Sequence, residues 1–265
     1  MPSYLHLRLR AHFHRHTFRY SLANYRAASR ASSRGFTSTA LRLHAMAQDQ
    51  PLSANAPLPR IDRVSPLPAD QARWIQFQKI DWTDQTGKPR VWEAAARTTR
   101  GASGVDAVAM CALLLGPGQP TRTIIVKQFR PALGAVCVEF PAGLVDGGES
   151  VEDAAVRELR EETGLKGRVV QMTPVVASDP GMSTANMQFA VLEVEGVGMG
   201  EELPKQELEE GEFIERVVVE VDGLYERLKG FAEEGFVVDA RLFHWAAGVQ
   251  FAKVNARRYG LTVAD

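Results

Sequence analysis

The sequence predicts an α/β protein, in which strands and helices alternate along the chain. Short apolar runs bounded by Gly and Pro are typical of strands, and an acidic stretch between two of them has helical spacing. Two further segments near the C-terminus repeat apolar residues at helical intervals. The chain has 265 residues, of which 45% are hydrophobic and 24% are charged. That is sufficient for one sizeable core.

The first 48 residues differ in composition from the rest of the chain. They contain eight Arg, five of the six His and no Asp or Glu. An N-terminal stretch rich in Arg and Ser and poor in acidic residues is typical of a mitochondrial transit peptide. We therefore expect residues 1–48 to be a disordered targeting presequence that directs the protein to the mitochondrial matrix. Residues 49–72 contain five prolines and are predicted to be an extended linker.

Two other interpretations of the N-terminal segment stay open. A basic arm that binds nucleic acid is disfavoured by the absence of Lys and by the terminal position. Translation from Met46 would instead give a cytoplasmic or nuclear product.

The remainder of the chain is acidic, since removing eight Arg leaves 23 basic and 32 acidic residues. A body with this charge is a poor binder of nucleic acid and needs cations to hold an anionic ligand. Cys111 and Cys137 lie in apolar runs without a CxxC motif and are predicted to be buried free thiols. The longest apolar run, 107–115, is far shorter than the ~20 residues of a membrane span. We expect neither nucleic acid nor a membrane as a partner.

A β-hairpin is predicted after the linker, with strands over 73–82 and 89–99. The turn between them contains Gly87, which suits a positive φ. A lone hairpin is marginally stable. Residues 73–100 should therefore form an N-terminal β element that packs on the main domain or on a second subunit.

The other predicted elements follow in chain order. Strands are expected over 105–115, 121–129, 135–140, 167–176, 187–195 and 213–221. Helices are expected over 150–163, 222–234 and 239–255, and a polar, Glu-rich loop over 196–211. In the last helix, Leu242, Trp245, Ala246 and Val249 should face inward, and His244 should be a packed core residue.

The stretch 143–165 predicts a glycine-containing loop that leads into a short acidic helix. A glycine such as Gly143 lets the backbone approach a ligand closely. Ser150 is a favourable N-cap, and Gly164 stands where a helix readily ends. The adjoining face of the helix, expected to pack on the sheet, carries Ala155, Val156 and Leu159.

Carboxylates crowd one face of this helix. Glu158 and Glu162 lie one turn apart, with Glu161 beside them. Like charges at this spacing repel, and Arg157 can reach Glu161 but cannot neutralise three carboxylates. Mg²⁺ takes oxygen ligands and usually acts together with substrate phosphates. The local chemistry therefore indicates a metal–phosphate site.

The spacing of residues 143–165 is G-x5-E-x7-R-E-U-x-E-E-x-G-U, and this pattern resembles the Nudix box at all nine specified positions. The resemblance implies an α/β/α sandwich with a mixed β-sheet over residues 101–258. It also implies hydrolysis of a nucleoside diphosphate linked to another group. Flanking segments resemble the eukaryotic ADP-sugar (ADP-ribose) pyrophosphatases: 91–93 (VWE), 97–100 (RTTR), 126–131 (VKQFRP), 138–144 (VEFPAGL), 178–182 (SDPGM) and 211–213 (GEF).

The resemblance assigns candidate site residues position by position. The Mg²⁺ ligands it implies are the carbonyl of Ala142 and the carboxylates of Glu158, Glu162 and Glu212. It places Glu161, Glu162 and Glu212 in the catalytic group. Trp74 of one subunit and Trp92 of the other are expected to sandwich adenine, and Arg97 and Arg130 to contact the diphosphate and terminal ribose. Glu93, Leu144 and Asp179 are expected to line the pocket.

The expected activity is Mg²⁺-dependent hydrolysis of ADP-ribose to AMP and ribose 5-phosphate by a homodimer, with Mn²⁺ as an alternative metal. Which loop glutamate acts as the base stays open. Two other functions also stay open. One is hydrolysis of oxidised nucleoside diphosphates or other ADP-sugars, and the other is a non-catalytic module that binds ADP-ribose.

Overall fold

A computed structural model describes residues 59–198 and 200–261. The predicted presequence, 1–48, and the first part of the linker lie outside the described residues. Most of the rest of the linker has no regular secondary structure, and a single 3₁₀ turn spans Ala69–Gln71. The predicted domain boundaries stay predictions.

The strands are β1 (Ile75–Thr83), β2 (Pro89–Arg97), β3 (Ala107–Leu115), β4 (Arg122–Arg130), β5 (Ala135–Glu139), β6 (Ala142–Leu144), β7 (Arg168–Met172), β8 (Val176–Ala177), β9 (Asn186–Glu195), β10 (Ile214–Glu220) and β11 (Val237–Val238). The helices are α1 (Val151–Thr163), α2 (Leu224–Glu233) and α3 (Ala240–Tyr259), and a second 3₁₀ turn spans Val221–Gly223.

The predicted hairpin is present as a separate two-stranded sheet. β1 and β2 pair antiparallel from Ile75 opposite Arg97 to Thr83 opposite Pro89. Gly87 has a φ of +79° in the turn, as predicted. The turn and strand signals in the sequence therefore predicted the hairpin correctly.

The larger sheet has nine strands within the described residues, with β11, β5, β4, β3, β9 and β7 side by side. β10 also pairs with β4, β6 with β3 and β8 with β9. The β3–β9 and β5–β11 pairs are parallel and the other pairs are antiparallel. This confirms the predicted mixed sheet.

The alternation of side chains along β3 divides the core into two layers. Met110 and Leu114 pack with Leu159 of α1 on one face of the sheet. Cys111 packs on the other face with Leu228 of α2 and with α3. Since successive strand residues point to opposite faces, one buried strand holds a helical layer on each side. The α/β/α arrangement is thus confirmed.

Helix α1 begins and ends where the sequence predicts. The backbone N–H of Asp153 donates to the Ser150 hydroxyl (3.0 Å), so Ser150 is the N-cap. Gly164 ends the helix with a φ of +76°. The predicted inward face was wrong at Val156, which is exposed, because the helix turns Ala154 towards the core instead.

Three other predictions need correction. The strand expected over 167–176 is interrupted by Pro174, which lacks an N–H for the ladder, and splits into β7 and β8. Helix α3 continues to Tyr259, because the first left-handed residue is Gly260, with a φ of +63°. His244 is exposed and not packed in the core, since it lies on the side of α3 opposite the buried Leu242.

Cys111 and Cys137 are buried free thiols, as predicted. Burial raises the pKa of each to about 12, so both are unreactive at neutral pH. Among the described residues, no helix combines the length and the apolar character needed to cross a membrane.

Candidate active site

The backbone polar groups of β6 that do not pair with β3 point towards the acidic face of α1. In the antiparallel pairing of β6 with β3, Ala142 and Leu144 alternate with residues bonded to β3, so their polar groups point away from that strand. The Ala142 N–H donates to Glu162 Oε2 (3.0 Å), and the Leu144 carbonyl accepts from Arg157 Nη2 (3.0 Å). The Ala142 carbonyl, which points the same way as its N–H, therefore faces the carboxylates.

Position 143 requires glycine, because the Glu158 carboxyl group occupies the space that a side chain at this position would fill. A Cβ built on Gly143 would lie 1.9 Å from Glu158 Cδ. The carboxylate therefore rests directly on the backbone of β6, at a distance that any other residue type would prevent.

Arg157 donates hydrogen bonds to several acidic side chains in and around α1. Its Nε and Nη2 donate to Glu149 (2.9 Å each), and its Nη1 donates to Glu158 (2.7 Å) and Glu161 (3.0 Å). The hydrogen bond to Glu149 is the main cause that raises the pKa of Arg157, and the same bond lowers that of Glu149. The predicted contact with Glu161 is present, and two more carboxylates accept hydrogen bonds from the same guanidinium group.

Among the residues that the structure describes, no Arg or Lys side chain donates a hydrogen bond to Glu162. Its side chain is buried, with 4% of the residue exposed. Burial is the main cause that raises the pKa of Glu162 to about 8; the negative charges of Glu158 and Glu212 add to the effect, and the Ala142 N–H and Arg130 oppose it. Burial and neighbouring carboxylates also raise the pKa of Glu158.

The structure therefore brings Glu158, Glu162 and Glu212 close enough for their charges to interact. Within 59–198 and 200–261, no three Asp, Glu, His or Cys side chains are already arranged to hold a metal ion. The donor set nevertheless fits a hard divalent cation, because neighbouring negative charges disfavour the ionised forms of Glu158 and Glu162, and Glu162 lies against Ala142, whose carbonyl points the same way as its N–H. A cation would remove that repulsion.

Arg130 is held by a residue that the sequence analysis did not assign. Its Nε and Nη2 donate to the two carboxylate oxygens of Glu139 at 2.7 and 2.8 Å. Glu139 is 5% exposed. Two nitrogens of the Arg130 fork thus face Glu139, and the guanidinium lies near enough to Glu162 to oppose the rise in the pKa of that carboxyl group. Glu139 lies within the quoted segment 138–144, but nothing in the sequence marked its pairing.

The hairpin carries the second group of predicted site residues. Trp74 is 57% exposed and Trp92 is 50% exposed, so neither packs in the core of this chain. Glu93 and Arg97 are also exposed on β2. The predicted adenine contacts therefore lie on an open surface.

A turn at Asp179 meets this hairpin. The Asp179 carbonyl accepts from the N–H groups of Met182 (3.2 Å) and Ser183 (2.9 Å), which confirms the predicted turn. Trp92 Nε1 donates to the Gly181 carbonyl (3.2 Å). The Ala95 N–H donates to the Met182 carbonyl (2.9 Å). The turn that begins at Asp179 therefore lies beside Trp92 of the same chain, and the roles of both residues in substrate binding stay predictions.

The buried Asp106 connects the hairpin to the acidic site. Its carboxylate accepts a bidentate pair from Arg100 at 2.8 and 2.7 Å, and the charge of Arg97 further favours its ionised form. Although burial opposes ionisation, these partners lower the pKa of Asp106. The Asp106 carbonyl accepts from the N–H of Val145 (3.2 Å), just after β6. Arg97 therefore lies at the junction of the two groups.

Comparison with known proteins assigns the family. The NUDIX domain model matches residues 105–240. The chain belongs to this family and is a hydrolase of the Nudix class. Nudix hydrolases generally use divalent metal ions, in agreement with the donor set described above.

Three relatives align with most of the chain. An uncharacterized Nudix hydrolase of Schizosaccharomyces pombe is 42% identical over 204 residues, which cover 77% of this chain and 96% of the relative. An ADP-ribose pyrophosphatase of Saccharomyces cerevisiae is 39% identical, covering 68% and 79%. An ADP-sugar pyrophosphatase of Mus musculus is 38% identical, covering 69% and 84%.

Proposed function

We propose that this protein hydrolyses the diphosphate bond of ADP-ribose to AMP and ribose 5-phosphate in the presence of Mg²⁺. The observation that carries the proposal is the contact of the acidic face of α1 with β6, where Glu162 accepts from the Ala142 N–H and the Glu158 carboxyl group lies on the Gly143 backbone. The names of the yeast and mouse relatives support the choice of an ADP-linked sugar.

The site residues have different roles in the proposed reaction. Ala142, Glu158, Glu162 and Glu212 would hold the cation, which, when bound, neutralises the diphosphate and acidifies the attacking water. Glu212 or Glu161 accepts the proton of that water, a general-base contribution of roughly 10²–10⁴ in rate. Arg157 holds Glu149, Glu158 and Glu161 in place. Arg130, oriented by Glu139, presents its remaining N–H groups to the diphosphate or terminal ribose.

We infer that the adenine lies between Trp74 of one subunit and Trp92 of a second copy. The support is the apolar surface of the hairpin, where seven large side chains are exposed: Trp74, Ile75, Phe77, Ile80, Trp82, Val91 and Trp92. Exposed large apolar side chains in this number are typical of an interaction surface. Indole stacking on both faces of a base binds adenine without a deep cavity. Glu93, Arg97, Leu144 and Asp179 would complete the substrate contacts.

The direct test is product analysis. The purified chain with ADP-ribose should release AMP and ribose 5-phosphate in Mg²⁺ or Mn²⁺, and none in EDTA. A parallel panel of other ADP-sugars and oxidised nucleoside diphosphates compares turnover. Calorimetric binding of ADP-ribose without AMP release would indicate a binding module and contradict the proposal, as would ADP-ribose ranking last in the panel.

Replacing Trp92 by Ala should raise KM for ADP-ribose by about 10- to 100-fold, because one stacking face is worth roughly 1–3 kcal/mol by analogy with base–aromatic stacking. Light scattering should give the mass of a dimer for the wild type. The matched control is Phe251→Ala, which removes an exposed aromatic ring from α3, outside the hairpin surface. An equal rise in KM in both variants, or a monomeric mass for the wild type, would contradict the shared stack.

A further inference from the structure

The C-terminal end of α1 is capped by the Glu-rich loop that precedes β10. The last carbonyls of a helix have no partner within it, and here three consecutive ones find partners elsewhere. The Glu161 carbonyl accepts from the Glu207 N–H (2.8 Å). The Glu162 carbonyl accepts from Gln206 Nε2 (2.6 Å), and the Thr163 carbonyl accepts from Arg216 Nη1 (2.7 Å).

Gly164 is required by this contact as well as by its positive φ. A Cβ on Gly164 would lie 2.5 Å from the Pro204 carbonyl oxygen and 2.7 Å from that of Lys205. Both are backbone atoms, which cannot move aside as a flexible side chain can. The loop is therefore pressed against the end of α1 at the place where the helix stops.

Gln206 ties this loop to β10 as well as to α1. The same Nε2 that donates to the Glu162 carbonyl also donates to the carbonyl of Ile214 (3.1 Å), the first residue of β10. Arg216 makes a parallel link, since its Nη1 also donates to the Pro204 carbonyl (2.5 Å). We call residues 204–207 the loop clamp.

Only residues 208–211 separate the loop clamp from Glu212. They form a compact turn, in which the Glu212 N–H donates to the Glu209 carbonyl (3.1 Å) and the Glu209 N–H donates to Glu212 Oε2 (3.0 Å). The position of Glu212 is therefore set on one side by the clamp and on the other by Ile214. Gln206 contacts both sides.

We propose that Gln206 is a positioning residue, whose side-chain amide fixes Glu212 relative to the Glu162 end of α1. The proposal rests on the proposed function in one respect, the placement of Glu212 in the catalytic centre. Gln206 itself contacts backbone carbonyls and stands outside the carboxylate cluster. Without its amide, the hydrogen bond to α1 and the hydrogen bond to β10 are lost together.

The test compares Gln206→Ala with Gln171→Ala, which truncates an exposed glutamine on β7. With saturating Mg²⁺, Gln206→Ala should lower kcat about tenfold or more and change KM for ADP-ribose less than about twofold. Gln171→Ala should match the wild type. A wild-type kcat for Gln206→Ala would overturn the proposal.

A double-mutant comparison separates positioning from a general loss of stability. In the Glu212→Gln background, adding Gln206→Ala should lower kcat less than about twofold, because the group being positioned is already gone. The same tenfold loss in both backgrounds would overturn the proposal, since Gln206 would then act independently of Glu212.

Hydrogen exchange provides a readout that needs no activity. In Gln206→Ala, the amides of Glu207 and Glu212 should exchange at least about tenfold faster than in the wild type, while amides in β3 keep their protection. Unchanged exchange at both amides would show that Gln206 does not hold the loop, and it would overturn the proposal. If the wild type released no AMP from ADP-ribose, the proposed function would fail, and the exchange data would still decide whether Gln206 holds the loop.

Discussion

Replacing Glu162 by Gln is expected to lower kcat by roughly 10²–10⁴-fold while the chain stays folded. Gln has nearly the same shape as Glu and retains an oxygen that can accept the Ala142 N–H, so β6 and α1 keep their contact. The variant lacks the negative charge, and a neutral amide is a weak ligand for a hard divalent cation. Steady-state kinetics with a Mg²⁺ titration measures the loss. Turnover within a few-fold of wild type would remove Glu162 from the catalytic centre.

The same variant should be more stable than the wild type in EDTA at alkaline pH. Burial raises the pKa of Glu162 to about 8 in the folded chain, against 4.5 for an unperturbed Glu side chain. Between these values the folded state binds more protons than the unfolded state, so the free energy of unfolding falls as pH rises through this window. The wild type should lose a few kcal/mol, up to about 4, relative to Glu162→Gln between pH 5 and pH 8.5.

Urea denaturation at the two pH values, with EDTA or with Mg²⁺, measures this difference. Mg²⁺ should stabilise the wild type more than the variant at pH 8.5, because a bound cation favours the ionised carboxylate. If stability depended on pH in the same way for the wild type and for Glu162→Gln in EDTA, burial and neighbouring charges would not raise the pKa of Glu162, and the prediction would be wrong.

The acidic helix could be predicted from sequence almost to the residue, because its signals are local. The Ser150 hydroxyl and the φ of Gly164 set its ends, and the 3.6-residue period places Glu158 and Glu162 on one face. The two-layer core also followed from pattern, since buried strands such as β3 carry long apolar runs.

The contacts that hold the site in place were not predictable in the same way. Glu139 pairs with Arg130 across two neighbouring strands, and its role depends on strand register that no local pattern specifies. Gln206 is one polar residue in a polar loop, and only the folded chain brings it to the end of α1. His244 was wrongly predicted to lie in the core because it stands beside apolar residues in the sequence. Its neighbour Trp245 is half-buried, while His244 itself points outward.

Gly143→Ala should abolish most of the activity without unfolding the protein. The new methyl group would overlap the Glu158 carboxyl group, whose Cδ, Oε1 and Oε2 lie 1.9–2.2 Å from the Cβ position. These atoms are the far end of a flexible side chain, so Glu158 can rotate away at little cost in stability. The carboxylate then no longer stands beside β6, and we expect kcat in Mg²⁺ to fall by roughly 10²-fold or more.

Gly147→Ala is the matched control, because it adds the same methyl group to another glycine of the same motif. A Cβ there would meet no atom within 4 Å, and Gly147 is not among the residues with a positive φ. Its activity and urea midpoint should therefore match the wild type. If Gly143→Ala retained near wild-type turnover, Glu158 could act from a displaced position, and its contact with the Gly143 backbone would not be required for catalysis. If instead both glycine variants lost activity equally, the loss would be due to reduced flexibility of the loop and not to displacement of Glu158.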